Sequence, residues 1–401
     1  MSGRDLFCQP RRIRRGAALT LVFTSVLVAG AATGSFPGTA RGDDNEGAGA
    51  ARSAARHAAP TGGEDVQKAA ADALADGKSP TEAAERAVSR SGDRWGAVYS
   101  PGEYQEFQEA LDGQYTGVGL WARRERDGRI EITKVQSGSP AADAGLRKGD
   151  RLRSVDGKKV DGEPVTEVVS LLRGDAQDAP AGTTVTLGLE RGRRTWTETL
   201  RRARLSTDSV TVRKLPDGVT VIKIASFTKG AGDDVRTAVR QAPPGAGVIL
   251  DLRGNSGGLV TEAVTTASAF LDGGLVATYD VDGTQHALHA VTGGDTGRPL
   301  VTLVDGGTMS AAEMLTGALQ DRGRAVVVGS RTFGKGSIQM PSRLPDGAVA
   351  ELTVGHYRTP SGRAVDGKGI TPDLQDDQVD QSDEGAIARA ETVLSGLGDA
   401  P

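Results

Sequence analysis

The most informative hydrophobic pattern of this chain lies in its C-terminal third. The apolar run 301–304 has the length of a buried strand, and Ser310 follows it after a short turn. A second apolar run, 325–328, predicts a neighbouring strand. Between the two, apolar residues recur at the spacing of a helix with one buried face, namely Ala311, Met314, Leu315, Ala318 and Leu319. The pattern therefore predicts that the Ser310 hydroxyl lies at a strand-to-helix turn.

Ser310 and Lys335 are of the residue types that a nucleophile and its base require. A helix N-terminus offers unpaired backbone N–H groups and a positive dipole end, which suit a reaction that develops an oxyanion. Lys335 lies on a glycine turn after the second strand. A lysine accepts a proton only when it is neutral, so burial must lower its pKa from about 10.4 toward 7. Gln339 would hold the amine through its side-chain carbonyl. Taken singly, Ser310 also fits a helix cap and Lys335 a solvated turn residue.

The motifs around these residues occur together with five others along the chain. They are Ser310-Ala-Ala-Glu313, Thr332-Phe-Gly-Lys-Gly-Ser-Ile-Gln339, Gly117-Val-Gly-Leu120, Ser139-Pro-Ala-Ala-Asp-Ala-Gly-Leu-Arg-Lys-Gly-Asp150, Leu250-Asp-Leu-Arg-Gly-Asn-Ser-Gly-Gly258, Tyr357-Arg-Thr-Pro-Ser-Gly362 and Gly369-Ile-Thr-Pro-Asp373. In their order along the chain they resemble the carboxyl-terminal processing (tail-specific) protease family, over about residues 63–375. Its members are serine endopeptidases with a Ser-Lys dyad.

The resemblance implies a role for each matching residue. Ser310 would be the nucleophile, Lys335 the general base and Gln339 the orienting partner. The N–H of Ala311 and the N–H of either Gly258 or Gly257 would form the oxyanion hole. No metal and no cofactor are expected, because His286, His289 and His356 are too few and too irregularly spaced for a metal site and no phosphate-loop or dinucleotide motif occurs.

Residues 113–205 predict short strands, a helix at 165–172 and several glycine turns. This segment resembles a PDZ domain, which adds a peptide as an extra strand and captures its terminal carboxylate with backbone N–H groups. Here Gly117 and Gly119 would let the backbone approach the carboxylate, while Val118 and Leu120 would line an apolar pocket.

The order of elements predicts a mixed α+β protein. A PDZ domain would be inserted into a catalytic α/β core that has N-terminal helices and follows a signal or anchor segment. The predicted parts are 1–34 (signal peptide or membrane anchor), 35–62 (disordered linker), 63–112 (N-terminal helices), 113–205 (PDZ domain), 206–375 (catalytic core) and 376–401 (C-terminal helix and tail). Four aromatic residues of the N-terminal part are expected in the core rather than at substrate: Trp95, Tyr99, Tyr104 and Phe107.

The N-terminal segment indicates export. Arginines precede an apolar stretch at 17–28 that ends in small residues, the order of a secretion signal, and a membrane anchor fits equally well. Either way the remaining chain is expected outside the cytoplasm, secreted or anchored. The net charge of −4 disfavours a nucleic-acid binder. The single cysteine, Cys8, excludes an intrachain disulfide.

Gly254-Asn-Ser-Gly-Gly258 also looks like the nucleophile motif of trypsin-like proteases. That interpretation needs an upstream histidine, and the chain offers only His57, within a low-complexity stretch. The expected function is therefore an exported serine endopeptidase that recognises accessible C-termini of proteins or peptides. The alternative is a catalytically silent PDZ scaffold of the cell envelope. A homo-oligomer or an activating adaptor stays open.

Overall fold

The computed structural model describes residues 62–125, 127–173, 179–281, 283–376 and 383–398. These residues form two compact units: the inserted unit, residues 100–209, and the main unit, residues 62–99 with 210–398. No helix within the described ranges is long and apolar enough to cross a membrane. The predicted signal or anchor segment lies outside the described residues.

Helices are interspersed with groups of mostly short strands along the described residues. The helices are α1 (Gly62–Ala75), α2 (Pro80–Ser91), α3 (Pro101–Leu111), α4 (Pro140–Asp143), α5 (Val165–Leu172), α6 (Ala231–Gln241), α7 (Val260–Phe270), α8 (Ala311–Asp321) and α9 (Asp383–Gly398). The strands are β1 (Ala97–Tyr99), β2 (Gln114–Gly117), β3 (Leu120–Arg124), β4 (Ile130–Val135), β5 (Arg151–Val155), β6 (Lys158–Lys159), β7 (Thr184–Arg191), β8 (Arg194–Arg201), β9 (Ala203–Ser206), β10 (Val210–Lys214), β11 (Thr220–Ile224), β12 (Val248–Asp251), β13 (Leu275–Val281), β14 (Thr284–His289), β15 (Leu300–Val304), β16 (Val326–Gly329), β17 (Ser337–Arg343), β18 (Val349–Arg358) and β19 (Leu374–Gln375).

The main unit is built on a six-stranded sheet of order β10-β11-β12-β15-β16-β19. Its strands run parallel except for β10, which pairs antiparallel with β11. β12 and β15 are buried along their whole length, because a parallel sheet between two helical layers has no solvent face. On one face of this sheet, Leu250 and the residues two positions before and after it pack on α6, α7 and α8. On the other face, Ile249, Val301 and Leu303 pack on α9.

A second sheet of the main unit has the order β1-β18-β13-β14, with β17 also paired to β18. Successive side chains of a strand point to opposite faces. On one face of β18, Ala350 and Leu352 pack on α1 and α2. The residues that alternate with them, Glu351 and Thr353, therefore point to the other face.

The inserted unit contains a sheet of order β3-β4-β5-β7-β8, with β6 beside β5, and a separate two-stranded pair of β2 and β9. Its core joins the sheet to α4 and α5 and includes Val118 and Leu172. The unit follows β1 and precedes β10 in the sequence, so it interrupts the main unit.

The sequence predicted the elements around Ser310 closely. β15, α8 and β16 lie where the apolar runs placed them, and α5 has the predicted bounds. The mixed α+β fold class is confirmed. The predicted C-terminal helix is present as α9.

Candidate active site

Ser310 occupies the N-cap position of α8, in the loop that follows β15. Its backbone has φ 60° and ψ −118°, a region that residues other than glycine rarely adopt and that costs about 1–3 kcal/mol. Strain of this kind persists only where the surroundings hold the backbone. The Ser310 N–H donates to Glu313 Oε2 at 2.9 Å, and its carbonyl accepts from the Tyr357 hydroxyl at 3.0 Å. The position of Ser310 resembles the sharp strand-to-helix turns that present a nucleophile.

Lys335 is completely buried in the main unit. Its Nζ has no hydrogen-bond partner among the described residues. Burial lowers the pKa of Lys335 to about 8, and the nearby carboxylates oppose that shift. Because the lowered pKa makes neutral amine available near neutral pH, Lys335 is suited to accept a proton.

Two aromatic side chains lie beside Lys335. The Trp95 ring centroid is 4.7 Å from Lys335 Nζ, and Trp95 contacts Phe333 edge-on at 5.9 Å between centroids. Phe333 is 43% exposed, and Trp95 is half-buried. The prediction that Trp95 lies in the core was therefore wrong. Phe107, by contrast, is buried as predicted.

Glu313 joins the Ser310 turn to the Lys335 loop. Its Oε2 accepts the N–H groups of Ser310 and, at 2.8 Å, of Lys335, and its Oε1 accepts the N–H of Gly334 at 2.7 Å and the hydroxyl of Thr332. Burial raises the pKa of Glu313, and these hydrogen bonds oppose the rise because they favour the carboxylate. The sequence analysis noticed Glu313 only within a motif. A glutamate three residues into a helix is a signal for a capping box, but it does not reveal the second loop.

The glycine loop after β12 lies against the Ser310 turn. The Met309 N–H donates to the Asn255 carbonyl at 2.8 Å, which ties the two loops together. Gly257 has φ 106°, and a Cβ built on it would be 3.0 Å from Ser310 Cβ, so no larger residue fits without displacing the serine. β12 and β15 are parallel neighbours, and their C-terminal loops therefore meet at one edge of the sheet, where α/β sites usually form.

The two candidate oxyanion glycines differ in their hydrogen bonds. The Gly257 N–H donates to Asn255 Oδ1 at 2.8 Å. Within the described residues, neither the Gly258 N–H nor the Ala311 N–H has a partner. The arrangement thus favours Gly258 and Ala311 as the available donors.

Gln339 lies in β17 and is completely buried. Its Nε2 donates to Ser337 Oγ at 2.9 Å and to Thr353 Oγ1 at 3.1 Å. Its Oε1 is buried and has no partner in the described ranges. The predicted hydrogen bond between Gln339 and the Lys335 amine is therefore not formed in this structure, although an unpaired acceptor and an unpaired donor are both present.

The trypsin-like alternative receives no support from the geometry. Ser256 has no interaction with any histidine of the described residues, and His286, His289 and His356 are exposed in β14 and β18. No group of three or more His, Cys, Asp or Glu side chains in those residues is placed to hold a metal ion.

The predicted carboxylate loop of the inserted unit joins β2 to β3. The N–H groups of Val118 and Gly119 have no hydrogen-bond partner among the residues described. Val118 is buried in the core of the unit, and Leu120 is half-buried beside it. The loop, from Gly117 to Leu120, therefore offers backbone donors, and its role in peptide binding stays a prediction.

Comparison with known proteins assigns both units. The profile of Peptidase family S41 matches residues 218–376, which include the Ser310 turn, the Lys335 loop and the glycine loop. The chain belongs to peptidase family S41. A PDZ-domain profile matches residues 131–191, so the inserted unit of this S41 chain is a PDZ domain.

Curated S41 relatives match over most of the chain. A chloroplastic carboxyl-terminal-processing peptidase 3 of Arabidopsis thaliana is 36% identical over 308 residues, 72% of this chain and 58% of the relative. A CtpA-like serine protease of Staphylococcus haemolyticus is 33% identical over 305 residues, 75% of this chain and 60% of the relative. The matches thus span about three-fifths of the length of these relatives.

A solved structure shares the fold. The structure of an S41 protease from Bacteroides fragilis superimposes with a TM-score of 0.53 at 18% identity, covering 80% of this chain and 91% of that one. At this identity the likeness concerns the fold alone.

Proposed function

We propose that this protein is a serine endopeptidase in which Ser310 is the nucleophile and Lys335 the general base. The observation that carries the proposal is the burial of the Lys335 amine, without a partner among the described residues, in the same buried region as a strained serine at a helix N-terminus. The bridging carboxylate of Glu313 supports it, because one oxygen holds the backbone of both residues.

In the proposed reaction, neutral Lys335 takes the proton of the Ser310 hydroxyl as Oγ attacks the scissile carbonyl carbon. The carbonyl oxygen becomes an oxyanion and accepts hydrogen bonds from the N–H groups of Ala311 and Gly258. The Lys335 ammonium then protonates the leaving amine, and the C–N bond breaks to leave an acyl-enzyme. Water attacks the ester with Lys335 again as base and releases Ser310.

Lys335 must turn its amine toward Ser310 for this chemistry. The buried Oε1 of Gln339 supplies an acceptor that would hold the amine in that orientation. Two hydrogen bonds donated by Nε2 hold the Gln339 side chain in place. Its Oε1 is therefore already oriented when the Lys335 amine turns toward it.

The substrates would be proteins or peptides with accessible C-termini. The free N–H groups of Val118 and Gly119 suit a terminal carboxylate, and several relatives are named as carboxyl-terminal-processing or CtpA-like peptidases. The basic and apolar N-terminal segment supports export of the enzyme, as a secreted or anchored protein.

The test is cleavage of an unstructured protein with an apolar C-terminus by the purified full chain. Wild type should cleave it, Ser310→Ala should not, and Ser256→Ala should keep most of the activity because the Ser256 hydroxyl has no role in the reaction. Loss of activity in Ser256→Ala with retention in Ser310→Ala would reverse the assignment. Tight binding of the substrate without cleavage by wild type would favour the silent scaffold.

A further inference from the structure

The carboxyl group of Glu351 is the feature of the main unit that the proposed reaction does not use. Glu351 lies in β18, with Ala97 of β1 opposite on one side and Pro341 of β17 on the other. The side chain is completely buried, and neither of its carboxyl oxygens has a hydrogen-bond partner in the described part of the chain. A buried carboxyl group without a donor is costly, so its retention needs a reason.

The charged group that acts on Glu351 is Lys335. Burial raises the pKa of Glu351 to about 7, and the positive charge of Lys335 opposes the rise. In turn, Glu351 is the largest of the electrostatic influences that raise the pKa of Lys335 against its burial. The two groups do not form a direct ion pair, and each lacks a hydrogen-bond partner among the residues described.

The other carboxylates that act on Lys335 are already occupied by hydrogen-bond donors. Asp93, before β1, accepts from Trp95, Gly96 and Thr353. Glu313, in α8, accepts from four donors. Asp366 accepts the N–H of Gly336 and lies 3.8 Å from His356 in a half-exposed position. Arg343 lies at the end of β17, on the same face of the sheet as Glu351, and it is exposed. Glu351 is therefore the carboxyl group acting on Lys335 whose oxygens accept no hydrogen bond from the described residues.

We propose that Glu351 is a positioning residue whose carboxylate charge stabilises the ammonium form of Lys335 and thereby sets the pH at which the lysine becomes a base. The proposal rests on the proposed function of Lys335 and deepens it. Glu351 touches neither the nucleophile nor the scissile bond in this scheme, and it acts through the lysine alone.

An ionised Glu351 stabilises the ammonium form of Lys335 and delays its deprotonation, whereas a protonated carboxyl group does not. With the pKa of Glu351 at about 7 and that of Lys335 at about 8, the carboxylate is present over the pH range in which the lysine loses its proton. The two groups therefore titrate as one coupled system.

The discriminating variant is Glu351→Gln, which keeps the shape of the side chain and removes its charge. Without the carboxylate, the ammonium form of Lys335 loses its main stabilising charge. The acid limb of kcat/KM should move to lower pH by about one unit. At pH 6 the rate relative to the plateau should then be about tenfold that of wild type, since each unit is tenfold in protonation. Glu384→Gln, which removes an exposed carboxylate on α9, should leave the profile unchanged.

A second measurement does not depend on cleavage. In Ser310→Ala protein, NMR titration of the Lys335 side chain should show a transition well below that of an exposed lysine, and adding Glu351→Gln should lower it by about one unit. An unchanged Lys335 transition, or a shift to higher pH, would overturn the role of Glu351. If Glu351→Gln does not fold, the Ser310→Ala protein alone decides, because a Glu351 carboxyl that does not titrate together with Lys335 also overturns the proposal.

The outcomes separate this proposal from the function on which it rests. If the Ser310→Ala and Lys335→Ala proteins both still cleave substrate, the proposed function is wrong, whatever the titrations show. An active wild type with inactive dyad variants and an unaltered pH profile in Glu351→Gln would remove only the role of Glu351.

Discussion

Glu313 Oε2 lies 2.9 Å from the Ser310 nitrogen and 2.8 Å from the Lys335 nitrogen, so a single oxygen binds the backbones of both reactive residues. Ser310 and Lys335 belong to different loops, one after β15 and one after β16. Their relative placement therefore depends on a side chain that takes no part in the proposed chemistry.

Replacing Glu313 should reduce activity by more than the accompanying loss of folding stability accounts for. Glu313→Gln turns one acceptor oxygen into a donor, which faces N–H groups and costs about 1–3 kcal/mol for each donor left unsatisfied. We expect kcat/KM to fall by about tenfold or more while the protein remains folded. Peptide hydrolysis and thermal melting should be measured on the same samples.

Glu262→Gln is the matched control for this prediction. Glu262 is also a first-turn glutamate, in α7, and accepts one backbone N–H, from Gly232 at 2.9 Å. It should lower the melting temperature slightly and leave kcat/KM unchanged. Equal activity losses in the two variants would mean that Glu313 stabilises the fold and does not position the dyad.

Lys335→Ala and Lys335→Arg should both abolish cleavage. Alanine has no base, and arginine stays protonated and cannot accept the Ser310 proton. We expect kcat to fall by about 10⁴ or more, as when a nucleophile loses its base. Turnover within tenfold of wild type by either variant would contradict the assignment of the base. Binding of an uncleaved C-terminal peptide, measured by calorimetry, should be retained because the proposed peptide site lies in the PDZ domain.

Activity should rise with pH through the titration of Lys335. Its pKa is lowered to about 8, and the neutral amine is the active form, so kcat/KM should fall about tenfold per unit below that pH and level off above it. The measurement is kcat/KM for a peptide substrate across the neutral range. A rate that is independent of pH down to pH 6, or an acid limb near the ordinary pKa of lysine, would be incompatible with a buried lysine base.

Gly119→Val should destabilise the PDZ domain itself. Gly119 has φ 80°, and a Cβ at this position would lie 2.2 Å from Ser139 Cβ, where Ser139 caps α4. A β-branched residue would therefore add both backbone strain and a collision. Gly138→Val provides the control, because Gly138 has φ 71° but no atom near its Cβ. Thermal melting should fall more for Gly119→Val. Similar losses would indicate that only the backbone conformation matters.

Carboxylate recognition is tested more cleanly on the substrate. Amidating the C-terminus removes the charge that the N–H groups of Val118 and Gly119 would hold, without altering the enzyme. We expect KM for a protein substrate to rise about tenfold or more, while short peptides that reach only Ser310 are cleaved as before. If amidated and free-acid proteins are cleaved equally well, the loop does not recognise the carboxylate.

Much of the candidate site was predictable from the sequence. Apolar periodicity is a local property, so it located β15, α8 and β16 and with them the turn that carries Ser310. Residue types on the following glycine turn made Lys335 and Gln339 candidates, and motif order, through a family resemblance, assigned their roles and added the glycine loop. Trp95 was assigned to the core because nothing in the sequence around it indicates that it contacts a lysine far along the chain.

The sequence by itself determined the order of the elements, the strand-to-helix turn at Ser310 and the residue types able to act there. Only the tertiary structure decided which of them meet. The pairing of β1 with β18 brings the segment of Trp95 beside Glu351 and Lys335, although these residues lie near opposite ends of the described chain. Likewise, the Gly257 N–H is occupied by Asn255, whereas the Gly258 N–H remains available within the described ranges. Burial and hydrogen bonding depend on contacts between segments that are distant in the sequence. Such contacts set the pKa of Lys335, the hydrogen bonds of Glu313 and the burial of Glu351, and no local sequence pattern encodes them.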